Sequence, residues 1–160
     1  MNCKVKITTT QSDYKGMSIF DCAVKELMMN ETISDYTEGD IIETTLFGEF
    51  STQGGKFTLS YDEESEYMGA THTKVEFSLA EPNLISIVRG GAVESFMVFE
   101  KHKRNICVYN TGILPFDICI FTKEITNQLL EKGYLELDYI IEIKGACAQH
   151  TVMKMEVTRL

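Results

Sequence analysis

The fold is decided between Lys56 and Glu100, where four runs alternate apolar with polar residues: KFTLSYDEE (56–64), THTKVEFSL (71–79), NLISIVRGG (83–91) and VESFMVFE (93–100). A period of two is typical of a β-strand with one buried face. Short turns separate the runs, and two of them contain the turn-forming pairs Pro82-Asn83 and Gly90-Gly91. The stretch therefore predicts an antiparallel meander whose apolar faces mark the inside of the fold.

Similar runs occupy the rest of the chain, at 2–10, 41–50, 106–109, 116–122, 134–144 and 149–158. Together they predict about eight to ten short strands, at a spacing typical of a sandwich or a barrel. Strands do not alternate with helices, which argues against a parallel sheet. No linker rich in Pro, Gly and Ser divides the 160 residues, so we expect a single all-β antiparallel domain over 1–160.

One segment has helical spacing and predicts a short helix near Met17–Met29. Its apolar residues recur at three- and four-residue intervals: Phe20, Ala23, Val24, Leu27 and Met28. Packing over a face or an end of the sheet is the expected role, and a lid over a ligand is the alternative. A second helical turn is predicted at 125–132, ended by Gly133.

The charge balance argues against two classes of partner. The chain has 15 Lys and Arg against 24 Asp and Glu, a formal net charge of -9. Binding to nucleic acid or to an anionic membrane surface needs clustered cations, so we expect neither partner. The basic turn at 101–104 stands alone and predicts only a solvated hairpin end.

The cysteines and the N-terminus predict a cytoplasmic location. The five cysteines are scattered and form no Cys-x-x-Cys pair, which favours reduced thiols. Residues 1–10 lack the apolar core of a signal peptide, and no run is long enough for a membrane span.

No pattern for catalysis or metal binding stands out. The sequence has no Gly-x-Ser-x-Gly, no P-loop and no dinucleotide-binding glycine pattern after a strand. His72, His102 and His150 lack the spacing of metal ligands. We therefore predict no enzymatic activity, no cofactor and no metal.

Four stretches carry a resemblance to a known family: SYDEESEYMGATHTKVEFSL (60–79), ISIVRGGAVESFMVFE (85–100), VYNTGILPFDICIFTKEI (108–125) and GYLELDYIIEI (133–143). In order and spacing the chain resembles the YwiB-like family over roughly 42–157. The resemblance implies a calycin-type barrel, similar in shape to the lipocalins and closed by about eight strands. It also implies a small bacterial cytoplasmic protein, and it supplies no catalytic residue.

Alternation sends several polar side chains into this barrel. They are Tyr61, Glu63, Thr71, Thr73, Arg89, Thr122 and Tyr139. Glu63 and Arg89 stand at the ends of their inward runs, so we expect them near a mouth, where they approach each other or share a ligand. The alternative is a water-exposed ion pair worth at most about 1 kcal/mol. Tyr61, Glu63, Thr73, Arg89 and Tyr139 are the candidate ligand-binding residues.

The leading functional hypothesis is a non-enzymatic protein that binds a small amphipathic or anionic ligand inside the barrel. It predicts a cavity lined by Leu59, Tyr61, Phe77, Ile87, Phe96 and Tyr139.

The alternative is a barrel with a packed core that acts through its outer face, as a protein-interaction or assembly module or as a homo-oligomer. An outward Ile140 and the apolar residues of 116–122 would form its contact surface. An enzyme at the barrel mouth would have only Tyr61, Glu63 and Arg89 at its disposal.

Overall fold

The computed structural model describes residues 1–13, 40–66, 69–110, 115–143 and 146–160. The helix predicted near Met17–Met29 lies outside the described residues. The described chain forms ten strands and one helical turn, in the order β1 (Asn2–Asp13), β2 (Asp40–Gln53), β3 (Lys56–Ser65), β4 (Gly69–Ser78), β5 (Glu81–Gly91), β6 (Glu94–Glu100), β7 (Arg104–Asn110), β8 (Pro115–Gln128), α1 (Leu129–Lys132), β9 (Tyr134–Ile143) and β10 (Ala146–Arg159).

The strands close into one antiparallel barrel. Each strand from β2 to β10 pairs with its neighbours in sequence, and β1 pairs with both β2 and β10. Val5, for example, lies opposite Leu46 on one side and Val157 on the other. The predicted all-β antiparallel barrel is confirmed, and the meander of 56–100 is its β3–β6 portion.

Alternation separates the inside from the outside as expected. In β3, Phe57, Leu59 and Tyr61 are buried, whereas Lys56 and Asp62 are exposed. Pairing carries this division around the barrel, with bulges in the β4–β5, β8–β9 and β9–β10 pairs, so the inward faces of the ten strands line one interior.

The two ends of the barrel differ. At one end, which we call the core end, aromatic rings stack: Phe57 lies 4.8 Å from Phe77 and 6.1 Å from Phe50 between ring centroids. Leu135 and Met155 are fully buried in the same cluster. The turn 54–55 and α1 lie at this end, and α1 adds the buried side chain of Leu129 to the cluster. The opposite end, where β3 ends and β4 begins, is called the cavity end below.

The helical turn is shorter than predicted. It spans Leu129–Lys132, because residues 125–128 continue β8 after a bulge between Thr122 and Glu124. Gly133 ends it with φ 67°, and the Gly133 N–H donates to the Leu129 carbonyl oxygen at 3.2 Å. Within the described ranges, no helix has the length and apolar character to cross a membrane.

Two outward residues are more buried than the sequence predicts. Ile140, which was expected to face water, is 3% exposed, and so is Glu142, two positions farther along the same face of β9. Arg104 contributes to this covering, because its guanidinium lies over the Phe121 ring at 4.5 Å and its Nε donates to Glu142 Oε1 at 3.3 Å. Phe121 in turn lies opposite Ile140. The prediction that Ile140 forms part of an exposed contact surface is therefore wrong.

Gly133→Ala should lower the free energy of unfolding much more than Gly54→Ala. Both glycines have positive φ, which costs alanine about 1 kcal/mol. A Cβ at Gly133 would lie 2.2 Å from the Val157 carbonyl oxygen, whereas one at Gly54 would meet nothing within 4 Å. We expect a further loss of about 2 kcal/mol at Gly133, measured by urea unfolding. Equal losses in the two variants would show that the β10 backbone moves away at no cost.

Candidate functional site

A cavity of about 660 Å³ lies at the cavity end of the barrel. This volume is within the range of small-molecule sites in proteins. Its lining combines apolar side chains with polar ones: Ile7, Thr9, Ile42, Thr44, Leu46, Glu63, Glu64, Ser65, Gly69, Thr71, Arg89, Val93 and Tyr109. The barrel interior is thus filled at one end and contains a cavity at the other.

Strand register brings Glu63 and Arg89 to the cavity wall. Glu63 of β3 lies opposite Thr71, and Arg89 of β5 lies opposite Thr73, so β4 separates the two charged residues. Arg89 spans this strand: its Nη2 donates to the Glu63 carboxylate, and its Nε donates to Thr73 Oγ1 at 3.5 Å. The structure therefore brings together the two charged residues that the sequence analysis singled out.

The ion pair is neither buried nor fully exposed. The side chains of Arg89 and Glu63 are 25% and 30% exposed. At this depth solvent still screens the attraction in part, while each charge depends on its partner more than a surface charge would. The pair is therefore a fixed polar feature of the wall that remains accessible from the cavity.

Two phenols lie in the interior between the cavity and the packed core. Burial, with a smaller contribution from Glu63, raises the pKa of Tyr61 well above its ordinary value, and its hydroxyl hydrogen-bonds with Thr73. Burial raises the pKa of Tyr139 to about 12, and its hydroxyl hydrogen-bonds with Thr151. The Phe99 ring packs edge-on against Tyr139 at 4.9 Å. Both phenols therefore stay protonated near neutral pH.

Two buried hydroxyls in the same region have no hydrogen-bond partner among the described residues: Ser95 Oγ and Thr122 Oγ1. Ser95 lies opposite Arg89 on one side and Tyr109 on the other, and Thr122 lies opposite Tyr139. Ser95 was not predicted to point inward, because Phe96, on the opposite face of the same strand, was expected to line the cavity. The alternation Ser95, Met97, Phe99 was the signal that could have found it.

The predicted cavity lining is wrong, because none of its six residues lines this cavity. Leu59, Phe77 and Ile87 are buried in the core cluster and do not line the cavity. Phe96 is 56% exposed on the outer face. The reason is register: Phe99 lies opposite the buried Ile85 and points inward, so Phe96 points outward.

The other three candidate residues lie beneath the cavity. Tyr61, Thr73 and Tyr139 are buried inside the barrel but are not part of the cavity lining. They reach it through Arg89, which contacts Thr73 and lies near both phenols. A ligand-binding role for the five candidates stays a prediction.

The described residues offer little for metal or nucleophilic chemistry. They contain no group of three His, Cys, Asp or Glu side chains placed to hold a metal ion. Burial raises the pKa of Cys107 and of Cys119 to about 11. Both thiols are therefore protonated at neutral pH, and a protonated thiol is a poor nucleophile.

Comparison with known proteins places this barrel in a family. The model of a domain of unknown function, DUF1934, matches residues 28–155, most of the chain. The chain belongs to the DUF1934 family. The structure is also similar to the crystal structure of the YwiB protein from Bacillus subtilis, with a TM-score of 0.67 and 18% identity over 99% of this chain and 94% of that one. At this identity the similarity shows a shared fold alone.

The predicted resemblance to the YwiB-like family is confirmed by these two matches. A search of curated proteins found no match to the sequence. The function of this DUF1934 barrel therefore has to be argued from its own residues.

The stability of the barrel should fall as the pH rises from about 10 to about 12, partly through Tyr139. Below pH 10 the folded and the unfolded chain both keep the phenol proton, and the full stability is present. Above pH 10 the unfolded chain loses the proton while the folded chain retains it. The free energy of unfolding therefore falls by up to about 1.4 kcal/mol per pH unit.

Urea unfolding at several pH values tests this expectation against the variant Tyr139→Phe. Lysine and arginine residues titrate in both proteins, so the difference between the two isolates the phenol. The stability difference should shift in favour of the variant above pH 10. Parallel pH profiles would contradict the burial of this hydroxyl.

Proposed function

We propose that this protein is a non-enzymatic cytoplasmic binder of a small amphipathic or anionic molecule, held in the cavity end of the barrel. The observation that carries the proposal is the cavity of about 660 Å³, whose wall combines apolar side chains with a half-buried ion pair. Binding sites for small molecules typically combine an apolar lining with a few fixed polar groups.

The apolar part of the wall supports binding by hydrophobic contact. Ile7, Leu46 and Val93 line the cavity from β1, β2 and the turn before β6. Removing apolar ligand surface from water at this wall contributes about 25 cal/mol per Å². The packed core end limits how deep a ligand can enter.

The polar part of the wall supports a fixed orientation of the ligand. Arg89 is held by Glu63 and Thr73, so its guanidinium is positioned before a ligand arrives. Such preorganisation reduces the entropy that binding would otherwise cost.

A phenylalanine placed in the cavity tests this function. Thr44 lines the cavity, and the adjacent Thr45 lies opposite Lys6 on the outer face, so Thr45→Phe is a matched control for Thr44→Phe. We expect the uncharged dye N-phenyl-1-naphthylamine to bind with saturation. Thr44→Phe should weaken it by at least about tenfold because the ring fills the site, and Thr45→Phe should not.

Fluorescence titration measures the affinity, and native mass spectrometry of protein purified from its own host looks for a retained molecule. Equal effects of Thr44→Phe and Thr45→Phe, or no saturable binding together with no retained molecule, would overturn the proposal.

A second candidate function is self-association through the outer face of β5, β6 and β7. Phe96, Ile106 and Val108 on this face are 56%, 78% and 56% exposed. Ser95 lies opposite Tyr109, which places the neighbouring Phe96 and Val108 side by side on the outside. Contiguous exposed apolar side chains of this kind mark contact surfaces. Phe96, Ile106 and Val108, and not Ile140, are therefore the exposed apolar residues that could form a contact surface.

The charges at the two ends of this face suit a second copy of the same chain. Exposed Glu94 and Asp117 lie toward the cavity end, and exposed Lys101 and Lys103 lie at the core end. A two-fold axis that runs the strands of the two copies in opposite directions brings acidic ends to basic ends. The ion pairs that these lysines make with Glu124 and Glu100 are exposed, and such pairs are weak.

Ile106→Glu should convert a dimer into a monomer, because a carboxylate would be desolvated at the centre of the contact. Ile41→Glu is the matched control, since Ile41 is similarly exposed, at 71%, on the distant β2. Multi-angle light scattering measures the mass of each protein. A monomeric natural protein at high concentration would rule out this second function.

A further inference from the structure

In the more buried part of the cavity wall, the positive charge of Arg89 and the negative charge of Glu63 already neutralise each other. Among the described residues that line the cavity, Arg89 is the only cation, and it contacts the carboxylate of Glu63. Glu64 also lines the cavity but is exposed. An anionic ligand would therefore meet two carboxylates for one guanidinium.

Either ionic ligand would disturb this pair. A carboxylate that bound Arg89 would have to displace Glu63, which would leave a half-buried carboxylate without its partner. An ammonium group that reached Glu63 would lie beside the Arg89 guanidinium and meet its positive charge. Both exchanges weaken binding relative to a head group that leaves the pair in place.

The same region has hydrogen-bond donors to spare. Within the part of the chain that the structure describes, the contacts to Glu63 and Thr73 use two of the five N–H groups of Arg89. The hydroxyls of Ser95 and Thr122 are buried inside the barrel without a partner among the described residues. Neither of these two residues lines the cavity, so the donors that a ligand can reach are the remaining N–H groups of Arg89.

We infer that the ligand carries an uncharged polar head with a hydrogen-bond acceptor, such as the carbonyl oxygen of an amide, ketone or ester. The head lies against Arg89, and the apolar part extends along Ile7, Ile42 and Leu46 toward the barrel end. The inference rests on the proposed binding function and adds the chemical class of the ligand.

An uncharged acceptor fits each of these observations. It accepts a hydrogen bond from a spare N–H of Arg89, and Glu63 keeps its partner. It adds no charge to a half-buried site, so no ionic desolvation is added to the cost of binding. Its alkyl part gains the hydrophobic contact of the wall.

Four ligands with one alkyl chain and different heads test the inference: decanamide, decanoate, decylammonium and the hydrocarbon decane. Each is measured at neutral pH by displacement of N-phenyl-1-naphthylamine from the natural protein. We expect decanamide to bind at least about tenfold more tightly than any of the other three.

Two variants then change the ranking in opposite directions. Glu63→Gln leaves Arg89 without a counter-charge and should raise the affinity of decanoate relative to decanamide by about tenfold. Arg89→Gln leaves Glu63 without a counter-charge and should raise the affinity of decylammonium relative to decanamide by about tenfold. Asp62→Asn is the matched control, since Asp62 is the exposed neighbour of Glu63 on β3, contacts His72 and is not part of the cavity lining, and its ranking should equal that of the natural protein.

The affinities of the four ligands are compared within each variant. A loss of stability would weaken all four together and would therefore not change their ranking. Decanoate or decylammonium as the tightest ligand of the natural protein overturns the inference and leaves the binding function in place. Decane that binds as tightly as decanamide also overturns it, because the polar head would then go unrecognised. If the dye and all four ligands fail to bind, the proposed binding function is overturned together with this inference.

Discussion

The structure depends on the pairing of β1 with both β2 and β10. This closure gives every described strand a paired neighbour on each side, although β6 and β7 share only two residue pairs, Glu94 with Asn110 and Ser95 with Tyr109. It also turns the alternation of each strand into a division between one interior and one outer surface. Everything that the interior contains, both the packed core and the cavity, follows from which side chains this division places there.

The interior changes in character from one end to the other. At the core end the inward positions hold the stacked rings of Phe57 and Phe77. Farther along the same two strands they hold Glu63 and Thr71. Smaller and polar side chains leave the cross-section of a ten-stranded barrel incompletely filled, and a charged pair cannot be packed as hydrocarbon can. The core and the cavity are therefore two consequences of one gradient of side-chain size and polarity.

The Arg89–Glu63 pair gives the cavity its chemical identity. It joins β3 to β5 across β4, and its contact with Thr73 ties it to the strand between them. The pair fixes a polar point on an otherwise largely apolar wall without giving the site a strong net charge. The family to which the chain belongs has no assigned function, so this arrangement is the physical basis for regarding the barrel as a binder. The apolar strip of Phe96, Ile106 and Val108 lies on the opposite side of the same sheet wall and is chemically independent of the cavity.

The sequence by itself determined the strand class and, in β3 and β5, the inward positions that hold Glu63 and Arg89. Because side chains alternate between the two faces of a strand, Glu63 and Arg89 lie on the same face as the apolar residues two positions away. A strand that turned either charged residue outward would expose those apolar side chains to water, which the hydrophobic effect disfavours. Tertiary structure decided the rest. Phe96 belongs to a strand with apolar residues on both faces, so only its register against β5 settled that it points outward. Glu142 is buried on the outward side of β9, and Arg104, which is distant in sequence, contributes to its covering. The cavity depends on the summed volumes of inward side chains from many strands, and no single stretch of sequence contains that sum.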